Sequence, residues 1–271
     1  MIVMMMYANL ITCGLLLGLL VAPAASRPLP RERQRSLLDQ ANHAFEQALA
    51  SHDEQTSQGY YQQAIDRYEQ LVAAGVHNAK LYYNLGNAYF LRHDLGRAIL
   101  NYRRGLRLEP GNARLQANLR YARSQRIDQF DTTTQQALLP RLLFWHDQVS
   151  LRTQVGLALA GFLLAWTGAF MHLFRRRSGL LWGVVGALLF ILFAGSALVV
   201  HAHNTSRRHG VIVAEEAPIR KGNGESYALQ FPRPLHAGAE FEVLEARGSW
   251  LNIRLENGTS GWIRRRRAAL W

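Results

Sequence analysis

His201, His203 and His209 stand close together, and imidazole nitrogens are zinc ligands. No cysteine or carboxylate lies near enough in sequence to complete a tetrahedral set, and histidines are common where a helix leaves a membrane, so no metal is expected. The chain has no H-E-x-x-H, no G-x-S-x-G, no phosphate-cradling G-x-x-x-x-G-K-[ST] loop and no Cys-x-x-Cys pair. Cys13 is the single cysteine, so no intramolecular disulfide can form. Arg264 to Arg267 form an unbroken cationic run, suited to a solvated tail or to acidic lipid heads. Neither catalysis nor a cofactor is expected; the remaining chemistry is recognition.

The elements that would position such chemistry begin with two uncharged runs, Val155–Phe174 and Leu180–Val200, separated by Arg175-Arg176-Arg177-Ser178-Gly179. Each approaches the roughly 20 residues a helix needs to cross a bilayer, and backbone amides in lipid must be satisfied internally. The expectation is a transmembrane hairpin with helices at 155–174 and 180–200 and a cytoplasmic turn at 175–179. Arg141, Arg152, Arg207, Arg208 and Arg220 flank it, so charge alone does not orient it. Orientation comes from Leu10 to Ala22, an apolar core followed by small residues and proline, which reads as a secretory signal or retained anchor over 1–26. Leu10-Ile11-Thr12-Cys13 loosely suggests a lipoprotein cleavage site, although the apolar run continues past it. Both soluble parts are then expected outside the cytoplasm, on a bacterial inner membrane.

The formal net charge of +12 raises nucleic acid as a partner. Lys80 and Lys221 are the only lysines, the arginines are spread over every segment, and an exported chain meets little nucleic acid. A basic surface near anionic lipid or cell-wall polymer is the better reading, with no nucleic-acid partner. With 271 residues and so much apolar sequence, there is room for two small soluble modules rather than one large enzyme core.

Residues 79–112 carry Tyr82, Leu85-Gly86, Tyr89, Ala98, Tyr102 and Pro110 at the spacing of a helix–turn–helix unit. Small Gly86 and Ala98 let two helices approach, the tyrosines fill the space beside them, and Pro110-Gly111 stops the second helix. This resembles a tetratricopeptide repeat, with Gly105 where the family usually has alanine. Ala64-Ile65 and Tyr68 precede Ala98-Ile99 and Tyr102 by the 34-residue period, marking an earlier repeat. Its first helix, about Ser36–Ala50, is displaced by an insertion around 51–59. Ala113–Ile127 reads as a further first helix or cap, giving two repeats plus a cap over 36–130. The resemblance implies a peptide groove lined by Lys80, Tyr83, Asn84, Asn87, Phe90, Arg114, Asn118 and Tyr121. Asn87 and Asn118 match a carboxylate clamp known in some members, Tyr83 stands where that clamp has lysine, and Asn84 and Asn87 alternatively satisfy only local backbone or solvent.

Residues 131–154 read as a polar linker followed by an apolar-sided stretch with Trp145, either an interfacial helix or a docking helix. After a short linker (201–209), residues 210–271 change to short β-rich runs punctuated by glycine, with Asn257-Gly258 as a hairpin signal. Ala217-Pro218-Ile219-Arg220, Gly248-Ser249-Trp250-Leu251-Asn252-Ile253 and Gly258-Thr259-Ser260-Gly261-Trp262-Ile263 resemble bacterial SH3-like domains, small barrels of about five strands. Tyr227, Phe231, Trp250 and Trp262 would form an aromatic ligand surface for peptidoglycan or protein, or else the two tryptophans are core.

Signal, repeats, apolar hairpin and SH3-like ending, in that order, resemble the BatE-type proteins of bacterial aerotolerance (Bat) operons. The resemblance implies a multidomain membrane protein: an all-α repeat solenoid, a two-helix transmembrane hairpin and a small all-β barrel. Its implied role is a non-catalytic adaptor beside von Willebrand A-domain membrane proteins and, indirectly, a MoxR-type ATPase. The alternative is an envelope sensor that binds peptidoglycan through the SH3-like domain.

Overall fold

The computed structural model describes residues 29–130, 151–174, 178–205 and 208–271. The expected signal at 1–26, Trp145 with residues 131–150, and most of the arginine turn lie outside the described residues.

Five helices come first: α1 (Arg31–Ala50), α2 (Glu54–Ala73), α3 (Ala79–Leu91), α4 (Leu95–Leu108) and α5 (Ala113–Ser124). Four begin on a side-chain cap that satisfies an otherwise orphaned amide. Asp53 accepts from Thr56 N (2.7 Å), Asn78 from Leu81 N (2.8 Å), Asp94 from Arg97 N (3.0 Å) and Asn112 from Leu115 N (3.2 Å). Two ends close with a left-handed residue: Gly75 (φ 84°) after α2, and His93 (φ 63°) after α3, where Asp94 N donates to Tyr89 O at 2.9 Å. A side chain in that conformation costs about 1 kcal/mol. His93→Gly should therefore raise the urea midpoint, with unchanged slope, by up to about 1 kcal/mol in stability. An unchanged or lower midpoint would show instead that the His93–Glu54 contact at 3.8 Å matters.

The helices pack as the pairs α1–α2 and α3–α4, with α5 against α4. Tyr68 and Tyr102 are fully buried, Tyr68 bonding Asn42 of α1 and Tyr102 bonding Asn87 of α3. The residues expected as an insertion at 51–59 do not form a long loop, because only Ser51–Asp53 separate α1 from α2. The extra length goes into the helices themselves, 20 residues each in α1 and α2 against 13 and 14 in α3 and α4.

The apolar region forms α6 (Leu151–Phe174) and α7 (Ser178–Thr205), packed along each other. Here the expected pair of membrane spans is corrected. Among the described residues one helix is long and apolar enough to cross a membrane, over Thr153–His172, and α7 contributes a shorter apolar stretch, Leu180–Gly195. Glycines bring the two backbones together: a Cβ on Gly168 would sit 2.2 Å from Gly183 N, and one on Gly186 would sit 2.3 Å from Ala165 N.

The C-terminal part contains β1 (Arg208–Ile212), β2 (Glu216–Ala217), β3 (Leu235–His236), β4 (Glu240–Arg247), β5 (Trp250–Leu255), β6 (Ser260–Arg264) and β7 (Ala268–Leu270). The paired strands are antiparallel, in the order β6-β5-β4-β1-β7, with β2–β3 as a separate two-stranded ribbon. Asn257-Gly258 makes the β5–β6 turn, with Gly258 at φ 83° and Leu255 N donating to Thr259 O. The expected barrel is the second correction, for the five-stranded sheet is open. A 3-10 turn (Arg265–Arg267) carries the chain from β6 across to β1, where β7 pairs. The free side of β6 is bonded instead to Arg220 through both backbone groups of Trp262. Ile212, Ile219, Leu251, Ile253 and Ile263 fill the core of this layer.

The sheet docks on the second helix of the second repeat. Gly96 in α4 meets β1 so closely that a Cβ there would lie 2.4 Å from Ile212 O. Val211 is fully buried in the helical core, joined by Val213, Ala269 and Trp271. Glu240, only 4 % exposed, takes Arg103 Nε and Arg123 Nε at 2.6 Å each. Arg126 donates to both carboxylate oxygens of Glu256 (3.1 and 3.3 Å), and Asp128 accepts from His236 N (2.5 Å). Burial pushes the Glu240 carboxyl up, but Arg103 and Arg123 together outweigh it and hold it below the usual carboxylate value.

Candidate binding groove

The first helices α1, α3 and α5 carry a ladder of side-chain amides. Asn42 Oδ1 accepts from Tyr68 OH at 2.7 Å and, at the long limit of 3.5 Å, from Asn84 Nδ2. Asn87 Oδ1 accepts from Tyr102 OH at 2.9 Å and from Asn118 Nδ2 at 2.8 Å. Burial pushes the Tyr68 hydroxyl up to about 12, and Tyr102 is shifted upward for the same reason, so both remain neutral donors at ordinary pH.

This bonding fixes which way each amide faces. Asn42 and Asn87 have their oxygens occupied, leaving the Nδ2 donors without a partner among the described residues. Asn84 and Asn118 spend a donor on the rung and keep the oxygen. The ladder therefore offers both donors and acceptors, which is what an extended backbone presents in return. Packed helices stand roughly 8–10 Å apart, and an extended chain rises about 3.3 Å per residue, so successive rungs match about every third peptide unit.

Two rims flank the ladder. Lys80 and Arg114 are exposed at the starts of α3 and α5, where the helix dipole also favours anions. On the other side Phe90 is half-buried, its ring centroid 5.5 Å from that of Tyr121, which is 60 % exposed. Tyr83 is half-buried and packs on the helical core. The eight expected groove residues thus lie on adjacent first helices, with Asn87 and Asn118 in direct contact.

Four further residues complete the groove, and sequence reading missed them. Arg35, Leu38, Asn42 and Phe45 repeat the spacing of Lys80, Tyr83, Asn87 and Phe90. Tyr68 bonds Asn42 as Tyr102 bonds Asn87, which fixes the equivalence. Leu38, Phe45, Tyr83 and Phe90 all pack on the same core. Arg35, Lys80 and Arg114 then form one exposed basic rim, one cation per first helix. The signal was present in sequence, but at the longer offset that the extended first helix pair imposes.

Of the four residues expected to make a ligand surface on the sheet, register puts Trp250 and Trp262 on one face of β5 and β6, where arginines cover both. Trp250 is 6 % exposed with Arg264 Cζ 4.4 Å from its ring centroid, and Trp262 is 9 % exposed with Arg247 Cζ at 5.5 Å. Phe231 packs on the sheet core, and only Tyr227 is largely exposed. His209 stacks on Trp271 at 6.1 Å, and the side chains of His201 and His203 are outside the description. Among the described residues no group of three His, Cys, Asp or Glu gathers.

Residues 79–112, containing α3 and α4, match the tetratricopeptide repeat family. No curated protein matches the chain. The resemblance to BatE-type proteins is therefore withdrawn: the shared ground is one repeat, one helix among the described residues meets the requirements of a span, and the sheet is open. The adaptor built on two spans and a barrel, and the barrel-based wall sensor, fall with it. What stands is the repeat, a non-catalytic protein-interaction module.

Proposed function

We propose that this chain is a membrane-tethered receptor for an extended segment of a partner protein, held across α1, α3 and α5. The observation that carries it is the amide ladder, in which tyrosine-braced Asn42 and Asn87 keep unspent donors and Asn84 and Asn118 keep unspent acceptors among the described residues. The basic rim selects a segment with acidic side chains or a terminal carboxylate on one side, and Phe90 with Tyr121 takes an apolar side chain on the other. Apolar α6 supplies the tether. The signal-like stretch Leu10–Ala22 supports a groove facing outward from a bacterial cytoplasmic membrane. Nothing in the groove picks out a von Willebrand A-domain protein or a MoxR-type ATPase as its occupant.

The test is selection of peptides from a random library by the full chain in detergent, with free C-termini in one arm and blocked C-termini in the other. Selected peptides should bind the Asn87→Ala chain about tenfold more weakly, the loss of roughly one hydrogen bond of 1–1.5 kcal/mol. Retention in the blocked arm identifies internal acidic segments, and its loss identifies a terminal carboxylate. Unchanged affinity in an Asn42→Ala/Asn87→Ala chain that keeps its circular dichroism would sink the proposal.

A further inference from the structure

The β4–β5 hairpin is a second interaction surface, and its position follows from strand register. Arg208, the first residue of β1, pairs with Val243. β4 and β5 continue beyond that point through Glu245–Asn252, Ala246–Leu251 and Arg247–Trp250. Three further pairs carry the hairpin about 10 Å past the start of β1, and the bulge between Val243 and Glu245 adds a bend. The start of β1 is also where α7 arrives, its last residue Thr205 lying three positions before Arg208. Since α7 packs along the membrane-length helix α6, the hairpin tip belongs to the end of the sheet nearest the bilayer.

That tip is cationic. Arg208, Arg265 and Arg266 are exposed, and Arg265 N is tied to Ser249 O at 2.9 Å, beside the hairpin turn. Arg264 lies over Trp250 and Arg247 over Trp262, each guanidinium resting on an indole. Arg264 also donates to Ser249 Oγ (2.8 Å) and Glu225 (2.9 Å), and Arg247 donates to Glu245 (2.5 Å). Five arginines thus face two glutamates, with Leu244 exposed among them. The exposed guanidinium groups of Arg208, Arg265 and Arg266 are suited to bidentate contact with phosphate.

We infer that the β4–β5 tip, with Arg265 and Arg266, rests on anionic lipid headgroups of the bilayer that α6 enters. This rests on the membrane reading above. It would fix the docked sheet and helical array as one unit at a set height, with the groove held close to the membrane surface.

The test uses the full chain with Cys13→Ser and a fluorophore on Ala246→Cys, in nanodiscs carrying nitroxide-headgroup lipid. Quenching should be strong in phosphatidylglycerol-containing discs and weak in phosphatidylcholine discs. It should fall to the phosphatidylcholine value in Arg265→Gln/Arg266→Gln, whose side chains are exposed and leave the core intact. Equal quenching in both discs, or quenching that survives the double substitution, overturns the headgroup contact. A chain that enters discs of neither lipid overturns the membrane reading as well.

Discussion

Glu240→Ala should destabilise the docked state by about 3–5 kcal/mol, the usual cost of removing one partner from a buried ion pair. Arg103 and Arg123, both bonded to this carboxylate, would be left facing each other without their counter-charge, with Arg126 Nη1 3.6 Å from the vacated position. Hydrogen exchange should report the change as faster exchange in β1, β4 and α4 together, because Val211 and Gly96 lose their seat when the sheet lifts. Exchange confined to β4 would show instead that the apolar contacts carry the docking alone. The same carboxylate gives the interface a pH dependence of definite sign. Its folded pKa lies below the ordinary value of 4.5, so its stabilisation is complete above that value and drains away as pH falls through the lower, folded pKa. Acid below about pH 4.5 should therefore loosen the interface, and Glu240→Gln should flatten that part of the stability profile.

The helical array was legible because its informative residues recur at a fixed spacing: Tyr68 and Tyr102 are exposed by their period before any contact is known. The first helix was not, since α1 and α2 are longer and move Arg35, Asn42 and Phe45 off that period. The sheet was legible as hairpins, for Asn257-Gly258 dictates a local turn. Whether edges meet is a long-range question, decided here by Arg220 bonding Trp262 and by a three-residue 3-10 turn, neither of which has a periodic signature. Trp250 and Trp262 read in sequence as either ligand surface or core; they lie on the face opposite Leu251, Ile253 and Ile263, covered by Arg264 and Arg247, which no local pattern announces. Docking left almost no trace, because Glu240 is one glutamate among many and its arginines lie more than a hundred positions away. Gly96, within a helical run, was the residual sign of a close approach.

That glycine supplies the second large effect. Gly96→Leu should undock the sheet without touching a charge. Its Cβ would overlap Ile212 O at 2.4 Å and crowd Val213 Cα at 2.9 Å, and both obstacles are backbone rather than flexible side-chain ends. Relief requires the sheet to move off α4, taking Val211 out of the helical core, so the cost should reach or exceed the 1–3 kcal/mol typical of overpacking. The exchange pattern should match that of Glu240→Ala in β1 and α4, whereas the acid-sensitive part of the stability profile should vanish for a different reason: Glu240, lifted into water, regains an ordinary pKa. Combining both substitutions separates the two causes. If docking is one cooperative event, the double variant should lose little more than the worse single variant, and the coupling should approach the smaller of the two effects. Additive losses would mean that the ion cluster and the α4–β1 contact open independently, and the sheet would then be hinged on the helices. Peptide affinity in the groove is the final discriminator, because Arg123 sits on α5 beside Asn118 and Tyr121 on the same helix. A rigid array should keep its affinity after undocking by Gly96→Leu, and a loss there would mean that the sheet holds α5 in its binding position.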